Sequence, residues 1–167
     1  MDSLEFPEAA PDEAEALSEL AARIWHRVYP VIITREQIDY MLDWMYDPAR
    51  IRSDMNDTGI TFLWMQLEDS RRGFLAFGPD PKESGIWLHK LYLDPDFHRR
   101  GIGSAALAEV EKRVRETGEN RIFLRVNRAN EPAIGAYRKA GYEICEERCS
   151  EIGNGYLMDD FIMVKTF

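Results

Sequence analysis

Residues 86–106 read IWLHKLYLDPDFHRRGIGSAA. An apolar run from Ile86 to Leu93 stops at Asp94-Pro95. A short basic loop follows, His98-Arg99-Arg100, and Gly101-Ile102-Gly103 leads into a helix-like pattern that opens at Ser104. The order is strand, loop, helix start. Two glycines allow a tight turn and bring backbone N–H groups close to a ligand. Those groups, together with the positive end of the helix dipole, make a site for an anion. Two arginines beside it suit a phosphate.

Several architectures use such a loop. Gly101-Ile102-Gly103-Ser104-Ala105-Ala106 also satisfies the dinucleotide pattern G-x-G-x-x-G/A. That pattern needs its glycines directly after a strand and an acid at the end of the next one. Here Asp94 to Arg100 intervene, and the following strand-like run, Ile122 to Val126, ends at Asn127 without an acid. A dinucleotide is disfavoured on both counts. A Walker A loop is excluded because no Gly-Lys-Ser/Thr is present.

The chain has 167 residues, enough for a well-buried core, and is read as one domain spanning residues 1–167. No apolar run approaches a membrane span, and acids at Asp2, Glu5 and Glu8 disfavour a signal peptide. Two cysteines, Cys145 and Cys149, do not make a disulfide framework, so a cytoplasmic protein is expected. A net charge of −9 argues against nucleic acid as a partner and is compatible with cationic substrates, although solubility alone accounts for it. The cysteines and the scattered His26, His89 and His98 show no metal-ligand spacing.

Along the chain, Leu4-Glu5-Phe6 reads as a short strand and Asp12 to Arg27 as an amphipathic helix with Asp12 as N-cap. Thr34 to Gln37 forms a capping-box pattern for a second helix ending near Asp47-Pro48. The aromatic residues of this region, Trp25, Tyr29, Tyr40, Trp44 and Tyr46, read more readily as core than as pocket. Ile60–Leu67 and Gly73–Phe77 are strand-like around a hairpin at residues 68–72, and Gly78–Gly85 is loop chemistry. Ile86–Leu93 precedes a helix over Ser104–Thr117, a strand over Arg121–Val126 and a helix capped by Asn130. Tyr142–Ser150 and Tyr156–Thr166 close the chain as an antiparallel pair. The expected fold is α/β (α+β): a mixed, mostly antiparallel sheet with helices on both faces, in the order β-α-α-β-β-β-α-β-α-β-β.

Two segments resemble one known family. His98-Arg99-Arg100-Gly101-Ile102-Gly103 resembles the Q/R-x-x-G-x-G/A loop of the GNAT acyl-CoA-dependent N-acetyltransferases, with His98 where Gln or Arg is usual. Asn130-Glu131-Pro132-Ala133 through Tyr137 to Gly141-Tyr142 is similar to that family's N-x-x-A-x-x-x-Y-x-x-x-G-F segment. The resemblance implies acetyl-CoA as co-substrate. Its pantetheine would pair with the strand backbone near Leu91 and Leu93. Its pyrophosphate would sit on the N–H groups of Arg99, Arg100, Gly101, Ile102, Gly103 and Ser104. Asn130 would contact the cofactor, and Tyr137 would lie beside the sulfur. A homodimer is a further expectation of the resemblance.

Amide formation needs a neutral amine, a polarised thioester carbonyl and a stabilised thiolate. Protonating a thiolate whose conjugate acid has a pKa of about 8.5 lowers the barrier, and Tyr137 is assigned that role. A backbone N–H, that of Leu91, can polarise the carbonyl. For the base, His89 lies two residues before Leu91, on the same face of a regular strand, and resembles in position a histidine of the arylalkylamine branch; Glu83 and ordered water are the alternatives. No G-x-S-x-G elbow supports a serine nucleophile. Acceptors compatible with this chemistry are a small amine or polyamine, an amino-sugar, or a protein amine. A non-catalytic acyl-CoA sensor on the same fold is the competing function.

Overall fold

The computed structural model describes residues 3–167. Seven strands form one sheet: β1 (Leu4–Glu5), β2 (Thr61–Leu67), β3 (Ser70–Pro79), β4 (Ile86–Leu93), β5 (Arg121–Asn127), β6 (Glu143–Gly153) and β7 (Tyr156–Thr166). Their spatial order is β1-β2-β3-β4-β5-β7-β6, antiparallel throughout except for the parallel β4–β5 pair. Helices α1 (Ala14–Val28), α2 (Arg35–Met45) and α3 (Pro48–Asn56) precede β2, α4 (Ile102–Glu116) joins β4 to β5, and α5 (Glu131–Lys139) follows β5.

Both faces of the sheet are covered, as expected. Leu17, Leu20, Ile24, Ile38, Met41 and Ile51 of α1–α3 bury against Phe62, Trp64, Phe74 and Ala76 on one face. Leu107, Val110 and Val114 of α4, with Ile134 of α5, bury against Leu75, Leu88, Ile122, Leu124 and Met163 on the other. The alternation of strand side chains makes both layers possible from the same strands.

Three local features depart from expectation. Residues 48–56 form a third helix: Pro48 sits in its first turn, where a missing N–H costs nothing, and Asp47 accepts a hydrogen bond from the Ala49 amide at 3.1 Å. Asp12 is no N-cap. It lies in a 3₁₀ turn, Pro11–Glu13, and Glu13 instead accepts from Trp64 Nε1 and Arg71, each at 2.7 Å, joining the start of α1 to the sheet. The β2–β3 connection is a two-residue turn, with β3 starting at Ser70 rather than Gly73.

The helical layer is tied to the closing hairpin. Thr34 caps α2 by accepting from the Gln37 amide at 3.2 Å, but the Gln37 side chain donates to the Leu157 carbonyl at 2.8 Å. The Tyr40 hydroxyl donates to the Ile152 carbonyl at 2.8 Å. The hairpin turn itself is Asn154-Gly155, both left-handed (φ 53° and 77°), the conformation that matches the twist of two-residue hairpins.

Candidate active site

The site is made by a strand that changes direction. Opposite β3, Ala76 pairs with Lys90 and Phe77 with Leu88, so His89 is the extra residue of a β-bulge. Bulges bend and twist a strand. β4 accordingly pairs with β5 only through Ile86–Leu88, and residues 89–93 have no strand partner on that side. The two parallel strands separate there, leaving an open backbone edge on β4.

The bulge also resets which way the side chains face. Ile86 and Leu88 lie on the α4 side, and so do Leu91 and Leu93, three rather than two residues on. Lys90 and Tyr92 lie on the α1–α3 side, with Lys90 Nζ 5.1 Å from the Tyr46 ring centre. The regular strand that would set His89 on one face with Leu91 is therefore not formed. His89 Nε2 lies 3.0 Å from the Pro79 carbonyl, an acceptor, so Nε2 carries the proton and Nδ1 is left as acceptor. Burial, the largest effect, lowers the imidazole pKa, which keeps the ring neutral at pH 7.

Beyond β4 the loop of residues 94–101 leads into α4. His98 Nε2 lies 3.0 Å from the Leu93 carbonyl and ties the loop back to the strand, which occupies that carbonyl of Leu93. Arg99 (φ 62°) and Gly101 (φ 78°) are left-handed, and α4 begins at Ile102, two residues before Ser104. Successive N–H groups in such alternating conformations form a concave anion site at the helix N-terminus. A Cβ placed on Gly101 or Gly103 would meet nothing within 4 Å beyond its chain neighbours and the adjoining helix backbone. The space above both glycines is open, so these residues fit the pyrophosphate of CoA. Arg99 and Arg100 are exposed beside it, Arg100 lying 4.8 Å from the Phe97 ring centre.

Asn130 caps α5 by accepting from the Ala133 amide at 3.4 Å, which leaves its NH₂ group unused by the cap. Tyr137, two turns further along α5, is half-buried and packs edge-on to Tyr142 with ring centres 5.9 Å apart. Burial pushes the Tyr137 pKa well up, the nearby Tyr29 and Tyr142 adding to the shift, and no hydrogen bond opposes it. The phenol is thus held protonated, as a donor.

Sequence reasoning did not single out Arg125 or Asp160, and its reading of Tyr29 as core agrees with the packing of that ring against the buried α1–α3 layer. Tyr29, read as core, sits at the end of α1, with a pKa pushed up to about 12 by burial and moderated by its contacts with Tyr92 and Asn130. Arg125 of β5 pairs with Asp80 at 3.2 Å and lies over the Trp87 ring at 4.1 Å. Asp160 of β7 is 7% exposed, and burial pushes its carboxyl up to about 6. One signal for Asp160 was available: Met158, Asp160 and Ile162 alternate along a closing strand, placing an acid on its inward face. Glu83, an alternative base, is engaged by Arg148 and approached by Arg125 at 4.0 Å.

An open strand edge, a left-handed loop at a helix start and a half-buried tyrosine on the next helix suit an acyl-CoA-dependent transferase. Residues 15–142 match the model of the Acetyltransferase (GNAT) family. The chain belongs to that family and is an acyltransferase that uses acetyl-CoA as co-substrate. It is 28% identical to an uncharacterized N-acetyltransferase of Mycobacterium tuberculosis, covering 92% of this chain and 97% of that one. It is 25% identical to the spermidine N(1)-acetyltransferase of Thermoplasma acidophilum, covering 99% and 98%. In structure it is similar to the PaiA N-acetyltransferase of Thermoplasma acidophilum in complex with coenzyme A, with a TM-score of 0.81, 26% identity and 99% of both chains covered. Among the described residues no group of three His, Cys, Asp or Glu side chains could hold a metal ion, and no helix is long and apolar enough to cross a membrane.

Proposed function

We propose that residues 1–167 act as one domain that transfers the acetyl group of acetyl-CoA directly to a primary amine, with Tyr137 protonating the departing thiolate. The observation that supports this reading is the half-buried Tyr137 phenol on α5, packed edge-on to Tyr142 and held protonated by burial, on the helix that follows β5. Bound acetyl-CoA supplies an activated acyl group; this chain's residues orient it and manage protons. The free edge of β4 around Leu91 and Leu93, apart from the Leu93 carbonyl that His98 holds, offers backbone groups to an extended amide chain, the recognition mode of an added strand. The N–H groups of residues 99–104 fix the phosphates. Asn130 adds an amide donor beside them.

The amine nitrogen attacks the thioester carbonyl, the C–N bond forms and the C–S bond breaks. Tyr137 gives its proton to sulfur and is reprotonated from the attacking nitrogen, which has a proton to lose. A general acid placed this way contributes about 10²- to 10⁴-fold. His89 has a more limited place. Its Nε2 proton holds the Pro79 carbonyl, and only Nδ1 stays available for proton transfer.

The acceptor is read as a cationic primary amine, a small amine or polyamine ahead of a protein amine. The acidic chain and the spermidine activity named for one relative support that preference. Thiol release from acetyl-CoA over a panel of spermidine, 2-phenylethylamine, kanamycin and a lysine-containing peptide tests it. Turnover with at least one amine is expected, and Tyr137→Phe should lower kcat by about 100-fold or more with little change in acetyl-CoA affinity. Unchanged turnover in Tyr137→Phe removes the acid assignment. Tight CoA binding without thiol release from any of the four favours a sensor.

A further inference from the structure

We propose that Asp160, rather than His89, receives the ammonium group of the acceptor and takes its first proton, so that the row Asn127–Asp160–Arg148 floors a subsite for protonated primary amines. This rests on the amine-acetylation reading of the same site.

Asp160 lies at the middle of that row. On β7 it pairs with Asn127 of β5 on one side and Arg148 of β6 on the other, and directly opposed residues share a face of the sheet. That face carries Lys90 and Tyr92 of β4 and Arg125 of β5. Charges crowd there, yet nearly all are matched. Arg125 is held by Asp80 at 3.2 Å, and Asp80 also accepts the Lys82 and Glu83 amides at 2.8 and 3.2 Å. Arg148 is held by Glu83 and by Glu146 at 2.6 Å. Asp159, on the opposite side of β7, pairs with Arg128 at 3.2 Å, and Asn127 Oδ1 accepts the Ala129 amide at 2.9 Å.

Asp160 and Lys90 are the two exceptions, and Lys90 lies over the Tyr46 and Phe62 rings at 5.1 and 5.7 Å. Asp160 is 7% exposed, its oxygens keep some access to solvent, and among the described residues its carboxylate has neither an ion pair within 4 Å nor a hydrogen bond. A buried carboxylate without a counter-ion is costly to maintain, and its persistence at a site points to a ligand that completes it. Its neighbours indicate the same ligand. Asp160 acts electrostatically on the Tyr29 hydroxyl, which lies against Tyr92 and Asn130, and Tyr29 acts in turn on Tyr137. Asn127 lies beyond Leu124, the last β5 residue paired with β4, so Asp160 sits across β5 from the stretch where the two parallel strands separate.

The proton balance is simple. R–NH₃⁺ gives one proton to the Asp160 carboxylate and becomes R–NH₂, which attacks the thioester carbon. The second nitrogen proton replaces the one Tyr137 delivers to sulfur. Asp160 then loses its proton to water, and the sum is amide, thiol and one released proton. Burial, with Asp159 adding and Arg125 opposing, raises the carboxyl to about 6, which suits a base at neutral pH. The charged or titratable groups on its side of the sheet are Arg125 of β5, Arg148 of β6 and Tyr29 beyond α1, with His89 and Lys90 on β4 and Asp80 and Glu83 between β3 and β4, while its chain neighbour Asp159 points to the other face.

The test is Asp160→Asn, nearly isosteric and without the charge. With the panel amine that turns over fastest, kcat/KM at pH 7 should fall at least 100-fold. Calorimetry on the CoA-loaded protein should show the same amine binding at least tenfold more weakly, while the coenzyme A Kd is unchanged. In the wild type, kcat/KM should decline as pH falls through about 6. In the variant it should climb about tenfold per pH unit towards the amine's own pKa, because only the neutral amine then reacts. Asp160→Glu should restore part of both the rate and the binding. An unchanged rate and amine affinity in Asp160→Asn, or an acidic limb lost in His89→Asn but kept in Asp160→Asn, overturns the proposal while leaving amine acetylation intact. Wild-type protein that binds CoA but acetylates none of the four amines overturns both. A coenzyme A Kd raised in step with the lost rate would show a structural role and also overturn it.

Discussion

Adding one methyl group at Gly103 should strengthen the fold and weaken the enzyme. Gly103 is the second residue of α4, its backbone is not left-handed, and an added Cβ meets nothing within 4 Å beyond its chain neighbours and its own helix backbone. Gly103→Ala therefore introduces no clash and removes part of glycine's unfolded-state freedom. Alanine is favoured over glycine in a helix by roughly 0.5–1 kcal/mol, with the first turn at the lower end. For a chain of this size that raises Tm by about 1–3 °C. The open space the methyl enters is where the phosphates meet the loop amides. Losing one charge-assisted hydrogen bond costs about 1.5–3 kcal/mol, which is roughly a 10- to 150-fold rise in Kd. Scanning fluorimetry without ligand gives the first number and calorimetry with coenzyme A the second. Opposite signs are the expected result. An unchanged coenzyme A Kd, with Tm raised as predicted, would refute the assignment of this loop to the pyrophosphate.

Lys90 is 8% exposed, and burial lowers its pKa to about 8. The native state thus disfavours the charged amine: stability is lost as pH falls from the unfolded-state value near 10.5 through 8. Lys90→Met should be more stable than wild type at pH 7 by on the order of 2 kcal/mol, with the gap narrowing between pH 8 and 10. Thermal melts across that range check it, and a variant less stable at pH 7 would mean that Asp54 and the Tyr46 and Phe62 rings already compensate the charge. Asp47→Ala removes the cap of α3 and should cost about 1 kcal/mol, or roughly 2–4 °C in Tm, without altering kcat at 25 °C; an unchanged Tm would show that the cap contributes nothing.

How far the site was legible depended on the range of the interactions that build it. The loop at 98–104 and the helix over Asn130–Gly141 are local objects. Glycines, a cap and a tyrosine at fixed spacing specify their backbone conformation and chemistry within about a dozen residues, so the residues themselves could be named. The helix over 48–56 was missed because Pro48 reads both as a stop and as a first-turn residue, and only Asp47 accepting the Ala49 amide decides between them.

The primary sequence determined by itself the alternation of elements, the glycine loop before α4 and the capped helix that carries Tyr137, because each rests on short-range periodicity and backbone preference. Only the tertiary structure decided how β4 is used. The bulge at His89 exists solely in relation to Phe77 and Ala76 across the strand pair, and it separates β4 from β5, turns Leu91 towards α4 and leaves His89 holding Pro79. The same holds for Asp160. In the chain it is one of many acids; it becomes singular once the sheet has placed Arg125 and Arg148 beside it and the loop at 80–83 has satisfied both of them. Matching of buried charges is a property of packed neighbours distant in sequence, and no pattern along the chain encodes which of them is left over.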